Sequence, residues 1–306
     1  MKATGYSIAG VNFDFISHGA AAEYLFDELP GLLPGFLIGK KTDAGAVCLV
    51  HLDHGQRYPL RFHSEPHFIG NEVSRSNEAI FARMGQIPFP FPNNYPETIG
   101  FLNGCLSFND RSNRGLIYIF CSDGANHFAG TLLKLLFVFT CLAMVNTGRI
   151  MVHGAGIKKR KKRGGYLFLG NSGAGKSTVA ALSSGDTVLS DDATIIEVAG
   201  DACHIHATPF RQVGIEEPPP ERLYVEQEKL DKLLFLHQSA TTFIQPREQR
   251  SAFMELLKEH LHCFEVMGEP LKRQAFYLCR AVCEMTPSCD LFFRKDPGFW
   301  ELVVAK

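Results

Sequence analysis

Tyr166-Leu167-Phe168-Leu169-Gly170-Asn171-Ser172-Gly173-Ala174-Gly175-Lys176-Ser177-Thr178 is the stretch on which the reading of this chain turns. Its centre, Gly170 to Ser177, matches G-x-x-x-x-G-K-[ST] in full. The apolar run Tyr166 to Leu169 predicts a strand, and Lys176 to Leu182 predicts a short helix before Ser183-Ser184-Gly185-Asp186. Strand, glycine loop and helix in that order are the context the string needs. Glycines at 170, 173 and 175 let the backbone curl so that successive N–H groups point inward. With the positive end of the following helix they form a cradle for phosphate. The expected ligating set is Gly170, Asn171, Ser172, Gly173, Ala174, Gly175, Lys176, Ser177 and Thr178. Lys176 would reach the β- and γ-phosphates as a point charge, and Ser177 would hold magnesium.

Working outward, Thr187-Val188-Leu189-Ser190-Asp191-Asp192 reads as an apolar strand ending in two acids, fifteen and sixteen residues past Lys176. Neighbours on a strand face opposite ways, so one acid can serve magnesium while the other orients or deprotonates a hydroxyl. The plainer alternative is an Asp-Asp turn closing the strand. Upstream, Arg149 to Gly154 and Gly165 to Leu169 predict two strands joined across Lys158 to Arg163, K-K-R-K-K-R, as a hairpin with a positive tip. Such a run fits phosphate, RNA or lipid binding, a nuclear address, or simply a solvated turn. His153, in Met151-Val152-His153-Gly154, is a structural or a functional histidine. Arg149 and Arg211 are candidate phosphate clamps or surface ion-pair partners.

These residues resemble the HPr kinase/phosphorylase family, and more closely its shorter, divergent relatives of bacterial peptide-modification clusters. Val152-His153-Gly154 is similar to the His-Gly element before that family's phosphate loop, and Gly170 to Thr178 to the loop itself. Ser190-Asp191-Asp192 is similar to its Asp pair, and His206-Ala207-Thr208-Pro209-Phe210-Arg211 to a T-P-F segment of the shorter relatives. The resemblance covers mainly Arg149 to Arg211. It implies an α/β fold of the HPr kinase/PEP carboxykinase-like type, a P-loop nucleotide-binding mixed sheet with a strand-rich N-terminal region. It also implies ATP and Mg2+ as cofactors. His153 and Asp191 would assist phosphoryl transfer, with Asp191 as the base, while Asp192 and Ser177, together with Asp191, serve the metal. Gly214-Ile215-Glu216-Glu217-Pro218-Pro219-Pro220 departs from the glycine- and arginine-rich segment that accompanies phosphate removal in the full-length enzymes.

Composition bounds the alternatives. The 306 residues (34.0 kDa) are 45% apolar and 21% charged, which excludes disorder, collagen and coiled coil and allows a core without covalent staples. A net charge of -1, from 31 basic and 32 acidic residues, leaves no global field for nucleic acid or an anionic membrane. Nine scattered cysteines and no signal-peptide pattern point to reduced thiols in a cytoplasmic protein. Cys279, Cys283 and Cys289 lack zinc-site spacing and read as buried hydrophobes. Leu132 to Val145 is too short for a membrane span and reads as a core helix.

Residues 1–122 look strand-rich, with pieces at Phe36 to Ile38, Ala46 to His51 and Leu116 to Cys121, and an irregular proline-rich stretch at 87–96. Residues 123–306 would form the kinase-like domain. A helix is expected over Asn126 to Asn146, stopped by Gly148. Leu230 to Leu236 is helix or strand. Glu248 to His262 reads as a helix burying Phe253, Leu256, Leu257 and Leu261. Pro270 to Met285 reads as another, with Phe276, Leu278 and Val282 inward. Asp290 to Lys306 reads as two short strands around Asp296-Pro297-Gly298.

The expected activity is ATP- and Mg2+-dependent transfer of the γ-phosphate to a hydroxyl, foremost a serine of a protein or peptide. A small-molecule kinase and a nucleotide-dependent scaffold without turnover are the alternatives. A positive tip lying beside the transferred phosphate would recognise an acidic peptide or an anionic metabolite. Acceptor affinity would then fall between about 0.01 M and about 0.15 M ionic strength, as the Debye length shrinks from about 30 to about 8 Å. A flat titration counts against that role.

Overall fold

The computed structural model describes residues 2–18, 29–31, 33, 35–38, 45–54, 97–101, 104–121, 125–160, 164–183, 185–210 and 227–305. The expectations at 87–96, at 214–220, at Arg211 and at 161–163 of the basic run fall outside these residues.

The N-terminal strands are β1 (Lys2–Ile8), β2 (Val11–His18), β3 (Ala46–His54), β4 (Glu97–Phe101), β5 (Gly104–Asn109) and β6 (Arg114–Cys121). Ala9 and Gly10 join β1 to β2 with φ of +50° and +73°, the two-residue turn whose twist suits a hairpin. The strands form one sheet in the order β1-β2-β3-β6-β5-β4, parallel at β2–β3 and β3–β6 and antiparallel elsewhere. The strand expected over 36–38 reduces to an isolated bridge between Leu37 and Tyr6. Gly35 (φ +76°) and the bond from Phe36 N–H to Leu33 O make that segment the exit of a turn instead.

Helix α1 (Ala125–Val145) follows, ending where Gly148 takes φ of +78° and donates its N–H to Val145 O. Its second half is largely apolar and buried, with Lys134 left exposed: Leu132, Leu135, Leu136, Phe139 and Val145 are fully covered. It packs on β5, β6 and the first strand of the second sheet. One continuous core thus runs from Tyr6 and Phe13 through Phe139 to Met151, Leu167 and Phe235. Among the described residues no helix is long and apolar enough to cross a membrane.

The second sheet is mixed and has eight strands. In chain order come β7 (Arg149–Lys159), β8 (Gly164–Leu169), α2 (Lys176–Ala181), β9 (Thr187–Ser190), β10 (Ala193–Ala199) and β11 (Ala202–His206). Then follow β12 (Gln227–Gln238), β13 (Phe243–Pro246), α3 (Gln249–Glu255) running into a π-turn at Leu256–His260, α4 (Glu269–Met285), β14 (Ser288–Phe293) and α5 (Phe299–Val303). The order is β11-β10-β7-β8-β12-β14-β13, with β9 on β7. Strand β11 also pairs with β12, closing five strands into a ring. All six residues of β8 are buried, and it lies between antiparallel β7 and parallel β12, with β14 parallel beyond. A smaller core of Phe168, Val179, Leu234, Phe299 and Trp300 fills the α2 and α5 side of the sheet.

One open expectation is resolved and three change. Leu230 to Leu236 is strand, within β12. The strand over 187–192 stops at Ser190, and Asp191 and Asp192 form a bend before β10. Phe276 points outward, 40% exposed, while Leu271, Ala275, Cys279, Val282 and Cys283 form the inner face of α4. The last expected strand is helix α5, because Phe299, Trp300 and Val303 all gain cover from the smaller core when wound into a turn.

Phe139 meets Phe13 and Phe108 edge-on, and its ring lies 2.6 Å from where a Cβ on Gly115 would sit. Phe139→Ala is expected to lower unfolding stability in urea by about 3–5 kcal/mol. Tyr277→Ala, 58% exposed on α4, should change it by about 0.5 kcal/mol or less.

Candidate functional site

The loop between β8 and α2 is held from three sides. Lys176 Nζ donates to Gly170 O at 2.6 Å and to Asn171 O at 3.3 Å. Gln238 Nε2, at the end of β12, donates to Gly173 O at 2.6 Å. Gly175 has φ of +115°, and a Cβ there would lie 2.7 Å from the ring of Phe293 on β14, so only glycine fits. Gly173 also needs its positive φ, +82°. Asn171, Ser172, Gly173 and Ser177 are exposed, Ala174, Gly175 and Thr178 half-buried. Lys176 is buried but for 8%, and burial lowers its pKa. Among the described residues it has no salt bridge. Its two hydrogen bonds go to backbone carbonyls, and the nearby Asp192 carboxylate opposes the effect of burial.

At Gly154 strand β7 changes neighbours. Residues 149–153 pair with β10, residues 156–158 with β9, and the bend between those two strands closes on Gly154, whose N–H donates to Asp192 O at 2.9 Å. Gly154 is also opposite Leu169, the last residue before the loop. The junction therefore places His153 and the acid pair beside the loop. His153 Nε2 is 3.5 Å from Asp192 Oδ1, with 36% and 31% of the two side chains exposed. Asp191 is 5% exposed. Burial and the Lys176 charge lower the His153 pKa, against the pull of Asp192, so the ring is neutral at pH 7. The structure thus brings Asp192 against His153.

Two histidines that the sequence reading passed over complete this side. Leu261 bridges antiparallel to Val152, and His262 N–H donates to Met151 O. That register sets His260 and His262 beside His153, whose ring stacks on His262 at 5.6 Å. Both are held neutral. Burial takes His260 to about 4, with Glu255 opposing the shift, and burial with the neighbouring histidines takes His262 to about 3. Behind His260 runs a chain of paired charges. Its Nε2 lies 3.5 Å from Glu255 Oε1, and Glu255 accepts from Arg247. Arg247 Nη1 also donates to Asp290 Oδ1 at 2.7 Å, and His237 Nε2 donates to the same oxygen at 2.8 Å. The π-turn brings Glu255 and His260 onto this network. Such turns gather at functional sites.

Two expected groups are not brought here. Arg149 lies at the far end of β7, four residues beyond His153. It is paired with Glu197 and donates Nη1 to Thr147 O at 2.7 Å. Its partners are structural, which removes it as a clamp on phosphate in the loop. The described part of the basic run, Lys158 to Arg160, is at the other end of β8: Lys159 pairs with Gly164, whereas the loop follows Leu169, about 16 Å away at about 3.3 Å per residue. Lys159 is spent on Asp186 (2.6 Å) and on the ring of Trp300, and Arg160 bonds Thr187. The flat salt titration is accordingly the expected one. No three His, Cys, Asp or Glu side chains among the described residues converge as a metal cage. Cys141, Cys203, Cys263, Cys279, Cys283 and Cys289 are free thiols.

No family model matches the chain, and no curated protein matches it.

The neutral histidines make stability depend on pH with a definite sign. Below about pH 6.5 the unfolded chain binds protons that His260 and His262 refuse in the fold, so stability falls as pH falls, through the range down to about 4. Urea midpoints should drop from pH 7.5 to pH 5. His262→Gln should flatten the slope, by up to about 1.4 kcal/mol per pH unit for the proton removed.

Proposed function

We propose that this chain is an ATP- and magnesium-dependent phosphotransferase of the HPr kinase-like type, passing the γ-phosphate to a hydroxyl, foremost a serine of a protein or peptide. The observation that carries the reading is the Gly170–Lys176 loop itself. It follows a buried strand and opens a helix, and its lysine bonds backbone carbonyls within reach of the His153–Asp192 pair. The residues fit the cofactor. The loop is exposed at Asn171, Ser172 and Gly173, and Ser177 stands exposed at the head of α2, where its hydroxyl can meet magnesium. Magnesium held by one or two carboxylates and substrate phosphates needs no preformed cage. Bound ATP with magnesium would supply the transferable phosphoryl group.

The roles divide by geometry. Lys176 turns from the carbonyls of Gly170 and Asn171 toward phosphate oxygens and neutralises their charge. Asp192 takes the proton of the acceptor hydroxyl, with neutral His153 at 3.5 Å able to share it. Its exposure supports giving this part to Asp192 in place of Asp191, which at 5% exposure is better suited to holding the bend. Neutral His260 and His262 add no positive charge to this side of the loop.

The test is incubation of γ-labelled ATP and magnesium with a lysate of the source cell, following label in proteins, peptides and small molecules. Transfer is expected with the native chain and not with Lys176→Ala. Asp192→Asn should slow it by about 10²- to 10⁴-fold, and more than Asp191→Asn does. Label confined to a metabolite would make the acceptor a small molecule. ATP binding with no label anywhere would sink the kinase reading in favour of a nucleotide-dependent scaffold.

A further inference from the structure

On the flank of the loop opposite His153 and Asp192, three rings form a ladder across the carboxyl end of the sheet. His237 of β12 stacks on Phe292 of β14 at 4.5 Å and 17°, and Phe292 stacks on Phe243 of β13 at 4.4 Å and 6°. Register makes this a straight row, since His237 is opposite Phe292 and Phe292 opposite Phe243. The spacing is that of neighbouring strands. The next place in the row, on the side of His237, belongs to β8. That strand ends at Leu169, opposite Phe235, so two residues further along β12 the position beside His237 is taken up by the start of the glycine loop. The ladder therefore points its free end at the loop.

That end is open and fixed. His237 is 41% exposed, and its ring is oriented by the 2.8 Å bond to Asp290, itself held by Arg247. Phe243 is 42% exposed at the other end. Exposed aromatic rings stacked in register have no part in either core, for neither His237, Phe292 nor Phe243 belongs to one. What they offer is a flat π-face.

We propose that this ladder is the nucleobase-binding shelf of the site, with a purine ring stacking on the outer face of His237 as the fourth member of the row. The inference rests on the reading of Gly170 to Ser177 as a nucleotide-phosphate loop. A nucleoside triphosphate has two ends. With its terminal phosphate directed to Asp192 and His153 on the β7 flank, the nucleoside leaves the loop on the opposite, β12–β14 flank, where the rings lie. Stacking recognises the base by its π-face, so it favours purines over pyrimidines by ring area without reading a hydrogen-bond pattern.

The experiment is calorimetric titration of the full chain with ATP and with inorganic tripolyphosphate, each with magnesium. Both are expected to bind, ATP more tightly by roughly fivefold to a hundredfold, the range of one base–aromatic stack. His237→Ala should bring ATP down to the tripolyphosphate affinity and leave tripolyphosphate unchanged, while His237→Phe should keep the ATP preference. Equal affinities in the native chain, or an ATP preference that survives His237→Ala, would overturn the shelf and leave the phosphate loop standing. Loss of the preference in His237→Phe as well as His237→Ala would replace stacking by a hydrogen bond and overturn it too. No binding of either ligand would remove the phosphate reading, and the shelf with it.

Discussion

A single backbone hydrogen bond, from Gly154 N–H to Asp192 O, is the hinge of this architecture. It sits where β7 passes from β10 to β9 and ties the bend carrying both acids to that strand, while Ser190 Oγ, accepting from Asp192 N–H and Ala193 N–H, closes the bend from within. Glycine is required there for a second reason. A Cβ at 154 would stand 2.9 Å from the Leu169 side chain and 3.0 Å from Phe168 O, pushing away the strand that ends in the glycine loop. One small residue thus sets the distance between the acid bend, His153 and the loop.

Around that junction the protein keeps polar groups buried but uncharged, or charged but paired. His153, His260 and His262 are neutral at pH 7 because desolvation outweighs the nearby carboxylates. Arg247 is the opposite case, a charge paired with Asp290 and Glu255 and laid over the Phe235 ring at 4.0 Å. Such a network is costly to break at any one point, since the partner left behind is a buried charge. It joins the two flanks of the loop through side chains that do not themselves touch it.

What could be read from sequence was local. The loop string, its flanking strand and helix, the hairpin and the buried helix α1 each declare themselves within twenty or so residues. His260 and His262 did not, because nothing local ties them to His153; a bridge between Leu261 and Val152 does so across more than a hundred residues. The His237–Phe292–Phe243 row needed strand order, which no window of sequence contains. The distance of the basic tip from the loop was legible in principle, since a strand running from one to the other must hold them apart. α5 reads as a strand in the sequence because five residues are too few for the helical period to show.

Trp300 is the only tryptophan in the chain, and it lies in the smaller core, edge-on to Tyr166 and Phe168, with the Lys159 ammonium 4.2 Å over its ring. Its emission is therefore a local signal from the layer directly behind the glycine loop, silent about the N-terminal sheet. Circular dichroism, by contrast, sums over every helix and strand. If the layer beneath the loop loosened before the rest of the molecule, the two spectroscopies would trace different curves, and the chain carries the reporter for that distinction without any label being added.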